Sequence, residues 1–314
     1  MKRILSNILA IAMLISTATV SFAEDSNEVS DTKFLKLKIL FPDTIEARNS
    51  WITRAMYKDS GAPIPLSMAY GDYVYATVPI EYKDRAIEAY VTEAKEFTDI
   101  DDTNPDFHDF KMLSRVGVIR GNDKGEANIY DNVTRAEAVA MVMRFVGLEE
   151  LAWEYTDEIS ARYTKPQTFG DVLKKDWFYY VVNYARNCGI IEGDSPDIFS
   201  PNRNVTREEV TVMLARALQY AGLRGTPKGI DNNADEDKIS DWAKDAYEII
   251  GRNFISDSDN TDPENPVRLL NPQKPATRAD VAYILNNIQD DCQMYPSDAA
   301  VYYGFDKQMP RIDG

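Results

Sequence analysis

The chain has 314 residues, 44% of them apolar, with 35 basic against 51 acidic side chains and a formal net charge of -16. That apolar share can fill a core for one or two domains, while the acidic excess argues against nucleic acid or an anionic membrane surface as a general partner. Two cysteines, Cys188 and Cys292, make no disulfide framework, and the single histidine, His108, lacks partners at a metal-ligand or catalytic spacing.

Lys2 and Arg3 precede an apolar run from Ile8 to Ile15, and Ser21-Phe22-Ala23 has the small-x-small form of a cleavage site. Residues 1–23 are therefore expected to be a secretory signal peptide, with the mature protein exported. Residues 24–32 are polar. Phe34 to Phe41 alternates around Leu35, Leu37 and Ile39 and reads as a strand ended by Pro42. Gly61 to Ser67, with Pro63 and Pro65, reads as a loop, and Tyr73 to Val78 as a second strand ended by Pro79. Residues 82–96 fit a helix or an extended link equally. Segment 24–96 is thus expected to be a small strand-containing module, marginal in size for an enzyme core and without histidine or cysteine.

From Phe97 the chain repeats itself. Phe97-Thr98-Asp99-Ile100 matches Phe169-Gly170-Asp171-Val172, and Gly117-Val118-Ile119-Arg120-Gly121 matches Gly189-Ile190-Ile191-Glu192-Gly193. Three helix starts follow the same pattern. Thr134, Thr206 and Thr277 can each cap through the hydroxyl, and Glu137, Glu209 and Asp280, three residues on, can close a capping box. Val210, Met213, Leu214, Ala217 and Leu218 give the helical spacing after the second cap; Val281, Ile284, Leu285 and Ile288 give it after the third, and Val139, Met143 and Val146 after the first.

Arg135, Arg207 and Arg278 follow the capping threonines, where the helix dipole would favour an acid. A guanidinium beside free N–H groups at a helix start makes a small anion site. The alternative is that each arginine pairs with a carboxylate of the neighbouring unit. Three in register favour a shared anionic ligand.

This set of motifs resembles the S-layer homology domain of bacterial cell-envelope proteins, whose signature is similar to F-x-D-V, a Trp opening the first helix, G-I-I-x-G, F-x-P and T-R-A-E. The second unit matches best, through Phe169, Asp171, Val172, Trp177, Gly189 to Gly193, Phe199, Pro201 and Thr206-Arg207-Glu208-Glu209. The resemblance implies a mainly α fold: three tandem helix-loop-helix repeats at 97–148, 169–223 and 238–289 forming a pseudo-threefold bundle, followed by a tail at 290–314. First helices would form the centre and capped helices the outside. It implies a non-catalytic wall anchor, on the cell surface, whose partner is anionic secondary cell-wall polysaccharide linked to peptidoglycan, often carrying pyruvate ketals. It needs no cofactor or metal. The cap arginines Arg135, Arg207 and Arg278 would contact the carboxylate, Arg207 in the best-formed groove, and Gly121 and Gly193 would let backbone approach a sugar. A surface-layer protein that mainly self-assembles, or a wall-associated enzyme with its site in 24–96, are the other readings.

The first unit departs from the pattern at Pro105, in place of the Trp, and the third at Phe254, in place of a turn glycine, though it keeps Ile239, Asp241 and Trp242. Trp177 and Trp242 could stack on a sugar, but packing into the core is the commoner use at that position. Asp231 to Asp237 begins like a calcium loop without completing one and reads as solvated linker. Cys188, before a glycine on a predicted helix, reads as a small buried residue.

Overall fold

The computed structural model describes residues 33–40, 53–70, 73–154, 168–223, 225, 233–251, 253–259 and 267–293. The signal peptide, the polar lead-in at 24–32 and the tail beyond Gln293 lie outside the described residues, as do Asp231 and Asn232.

Six strands come first: β1 (Phe34–Leu40), β2 (Thr53–Tyr57), β3 (Pro63–Ile64), β4 (Ser67–Tyr70), β5 (Tyr73–Pro79) and β6 (Ile87–Val91). They form two antiparallel sheets, ordered β1-β5-β4 and β3-β2-β6. Leu37 pairs with Ala76 in one sheet and Ala55 with Ala89 in the other. Ala55, Leu66, Val74, Ala76 and Val78 fill the interior, and the Ser67 hydroxyl, accepting from the Ala55 N–H at 3.0 Å, ties one sheet to the other. β1 carries the alternation that marks it in the sequence, and β5, the second strand read there, is buried on both faces. Residues 82–96 hold a strand rather than a helix, entered through a short 3-10 turn at Ile80–Tyr82.

Among the described residues seven helices follow: α1 (Phe107–Arg115), α2 (Arg135–Phe145), α3 (Glu149–Glu154), α4 (Tyr179–Asn187), α5 (Arg207–Tyr220), α6 (Lys244–Ile250) and α7 (Arg278–Gln293), with a hairpin of β7 (Asp257–Asp259) and β8 (Val267–Leu269) before the last. The expectation of a mainly α chain built as a bundle of three helix-loop-helix repeats is corrected: two sheets share one core with the helices. The ends of α2, α5 and α7 present Phe145, Leu218 and Ile288, and the strands cover that end. Phe34 meets Tyr220 edge-on at 6.1 Å, Arg85 of the strand segment pairs with Glu150 of α3 at 2.9 Å, and the Gln289 amide donates to the carbonyl of Pro65.

The helix arrangement is also the reverse of the expected one. The capped helices α2, α5 and α7 pack on one another, while α1 lies against α7, α4 against α2 and α6 against α5. Residue pattern explains this. From Ala136 to Phe145 every residue of α2 is buried except Glu137 and Arg144, and a helix apolar nearly all round belongs in the middle. By contrast, the short helices α1 and α4 are one-sided.

At the other end of the centre, the segments that lead into the caps close a triangle. Val133 N–H donates to Ala276, Ala276 N–H to Val205 and Val205 N–H to Val133, each at 2.9 Å. This ring brings the three cap arginines to one end of the molecule, away from the sheets.

Candidate functional site

All three caps form. The Glu137 N–H donates to the Thr134 hydroxyl and the Glu137 carboxylate accepts from the Thr134 N–H at 2.9 Å; Thr206 with Glu209 and Thr277 with Asp280 do the same. The first free amides of each helix are taken as well, by carbonyls of the neighbouring loop: Arg135 N–H by Arg203 and Ala136 N–H by Pro201, Arg207 N–H by Lys274 and Glu208 N–H by Pro272, Arg278 N–H by Asp131 and Ala279 N–H by Ile129. The sequence-based picture of free amides beside each arginine is therefore corrected. With these donors spent inside the fold, any anion held here depends on the guanidinium alone.

The three arginines occupy equivalent places with different partners. Arg135, 4% exposed, donates from Nε to the Phe199 carbonyl, from Nη2 to the Glu192 carbonyl at 2.9 Å and from Nη1 to Glu209 at 2.7 Å. Arg203 grips the same Glu209 at 2.7 Å and Asp194 at 2.9 Å. Arg207, 3% exposed, donates to the Leu270 carbonyl, to Asp257 at 2.8 Å and to Asp280 at 2.9 Å. Burial works against its charge, but the two carboxylates outweigh this and hold its pKa above the ordinary value. Burial would likewise raise Asp257, yet Arg207, Lys274 and Asn271 pull it down to about 2.

Arg278 differs. Its Nε donates to the Ala127 carbonyl at 2.9 Å and its Nη2 to the Arg120 carbonyl at 2.7 Å, the counterparts of the Arg135 bonds, but Nη1 has no partner and no carboxylate lies within 4 Å among the described residues. Burial lowers its pKa, opposed from a distance by Glu137, Asp131 and Asp99. It lines a cleft of about 310 Å³ together with Arg120, Asn122, Glu137, Arg144 and Trp177. Arg120 and Arg144 share Glu149, at 3.1 and 2.7 Å, and Glu126, Asp131 and Glu137 line the cleft with the three arginines, so its charge is mixed. An open cleft lies at Arg278, whereas the guanidinium of Arg207, expected in the best-formed groove, is engaged by Asp257, Asp280 and the Leu270 carbonyl.

Trp177 and Trp242 are 50% and 56% exposed, against the core role that is commoner at their position. Trp177 forms a wall of the Arg278 cleft, an apolar face beside a cation. The turn glycines are required by the fold, and Gly121 also lines the Arg278 cleft. Gly117 and Gly189 take φ of 71°, and a Cβ on Gly121 would come within 2.8 Å of both the Glu126 carbonyl and the Phe97 ring; on Gly193 it would meet the carbonyls of Ser195 and Ile198. Cys188 is unbridged, and burial pushes its thiol up to about 11. No cluster of side chains suited to a metal ion occurs among the described residues.

Sequence reasoning missed one element of the scaffold. Asp99 accepts the N–H groups of Ala127 and Asn128, Asp171 those of Phe199 and Ser200, and Asp235 those of Leu270 and Asn271. Asn128, Ser200 and Asn271 all have positive φ, at 49°, 58° and 47°. Each aspartate thus pins the loop whose carbonyls cover the next helix. The third lies in the acidic stretch read as solvated linker.

The S-layer homology domain family matches residues 168–211, which span α4, the turn after it and the start of α5. The chain thus carries an S-layer homology domain there. Over 176 residues it is 30% identical to Exoglucanase XynX of Acetivibrio thermocellus, a match covering 56% of this chain and 14% of that one. Over 187 residues it is 27% identical to the Surface-layer 125 kDa protein of Lysinibacillus sphaericus, covering 59% and 14%. The Middle cell wall protein of Brevibacillus brevis is 30% identical over 177 residues, covering 56% and 14%. The chain therefore spans only a small part of the length of these relatives. Among the described residues no helix is long and apolar enough to cross a membrane.

Proposed function

We propose that this chain is a non-catalytic cell-envelope protein, held at the cell surface by non-covalent binding of anionic secondary wall polysaccharide. Residues 97–148 and 238–289 are read as two divergent copies of the domain matched at 168–211. The shared capping boxes, aspartate braces and positive-φ residues support that reading.

The observation that carries the function is the unpartnered Nη1 of Arg278 in a cleft walled by Trp177. A guanidinium with one free edge suits a carboxylate, such as a pyruvate ketal, and the indole suits the apolar face of the sugar that bears it. Each charged hydrogen bond to such a group contributes roughly 1.5–3 kcal/mol before ordering costs. The absence of histidine and cysteine from residues 24–96 supports a non-catalytic role for the strand module, and its position over the helix ends supports a structural one.

The test is co-sedimentation of the chain, without residues 1–23, with purified wall sacculi before and after acid removal of the polysaccharide. Binding that requires the polysaccharide and falls with Arg278→Ala upholds the reading. Equal binding to stripped walls overturns it.

A further inference from the structure

The grooves expected at the three cap arginines correspond in position but differ in chemistry. We infer that two of them are occupied by the protein's own carboxylates, so that the chain presents one polysaccharide site, at Arg278, and binds with a valence of one. This inference rests on the anchoring function proposed above and restricts where it operates.

The closing contacts can be traced residue by residue. In the Arg135 groove, Glu209 lies 2.7 Å from Arg135 Nη1, the atom that is free in Arg278. Glu209 is held there by Arg203, which bonds it through both terminal nitrogens and anchors itself on Asp194. In the Arg278 groove, the offset that relates Thr206 to Thr134 puts Asn122 at the place of Asp194 and Asp131 at the place of Arg203. Neither can draw the capping Glu137 toward Arg278. Its carboxylate accepts from the N–H and hydroxyl of Thr134, as that of Glu209 does from Thr206, but makes no ion pair with Arg278.

The lining charge differs in the same sense. Arg216 of the second unit is neutralised by Glu192 at 3.0 Å, whereas the corresponding Arg144 faces Arg120, with Glu149 shared between them. In the Arg207 groove, Asp257 and Asp280 supply two carboxylates to one guanidinium. A ligand carboxylate entering either closed groove would have to displace a buried ion pair, losing in the exchange what it gains.

The cap arginine alone therefore does not identify a working groove. The residues that decide are the pair at positions 194 and 203, and the residue at 257.

Two measurements on the chain without residues 1–23 test this. The first is reaction with phenylglyoxal, mapped by peptide mass spectrometry, which needs no knowledge of the ligand. Arg278 is expected to be modified while Arg135 and Arg207 are protected; modification of all three at the same rate overturns the inference. The second is retention by polysaccharide-bearing sacculi. Arg278→Ala is expected to lower it about tenfold or more, the effect of one charged hydrogen bond. Asp194→Asn with Arg203→Asp, placed in the Arg278→Ala background, is expected to recover retention and to expose Arg135 to phenylglyoxal. Undiminished retention by Arg278→Ala overturns the single-site inference and leaves anchoring intact. No retention of the wild-type chain overturns anchoring itself, and the phenylglyoxal map still decides whether the grooves are closed.

Discussion

Arg207 and Asp280 join the starts of two central helices: Nη2 lies 2.9 Å from one carboxylate oxygen and Nε 3.4 Å from the other. The same carboxylate accepts the Thr277 N–H and so completes the cap of α7. One side chain therefore serves helix stability and helix association together.

Removing the arginine would leave Asp280 and Asp257 beside a buried void. Arg207→Ala is expected to cost about 3–5 kcal/mol, the range for breaking one side of a buried ion pair. Arg278→Ala loses two bonds to carbonyls and a cation–π contact with Phe110, and is expected to cost about 1–2 kcal/mol. Urea denaturation of the two variants measures the difference, and equal losses would contradict the reading of Arg207 as a brace between two central helices.

Asp235 is 1% exposed, yet it sits among Asp231, Glu236 and Asp237. Asp235→Ala would orphan the N–H groups of Leu270 and Asn271, at a cost of about 2 kcal/mol or more. Asp237→Ala, at an exposed position, is expected to stay within about 0.5 kcal/mol. Comparable melting temperatures for the two variants would show that the brace is not formed.

Gly193→Ala is expected to destabilise by about 1–3 kcal/mol, the usual cost of overpacking, because the new methyl meets two carbonyl oxygens that belong to the turn itself. Thermal unfolding gives the readout. An unchanged midpoint combined with weaker wall binding would restore a ligand-contact role to this glycine.

The caps were legible because a capping box is local: Thr206 and Glu209 need only each other and a helix. β1 was legible for a similar reason, the alternation of Leu35, Leu37 and Ile39 with lysines, while β5, buried on both faces, was legible from its aromatic and β-branched run ended by Pro79. What Arg135 and Arg207 touch was not legible, since Glu209 and Asp280 come from a different helix and the ring that brings them close is made of backbone bonds. Asp235 was hidden by composition, because a run of acids does not say which one turns inward. The central place of α2, α5 and α7 could have been read from α2, whose apolar residues occupy nearly every position rather than one stripe.

The last prediction concerns pH. Asp109 of α1 is half-buried against α7, where the Asn286 amide donates to it at 2.8 Å and the Asn286 carbonyl oxygen is buried without a partner. Burial raises the Asp109 pKa, the Asn286 bond and His108 oppose this, and Asp106 adds to it. A protonated Asp109 has a hydroxyl to offer the orphaned oxygen, and a carboxylate has none. The folded state therefore holds a proton that the unfolded chain has already released once pH passes the ordinary aspartate value of about 3.9. Stability falls as pH rises from there through the raised folded value, and stays at the lower level above it. Asp109→Asn supplies both an acceptor and a donor at every pH. Its melting temperature is expected to exceed that of the wild type at pH 7, with the gap narrowing as pH approaches 4. A gap of the same size at both pH values, or a less stable variant at pH 7, would show that this carboxyl group stays charged in the folded protein.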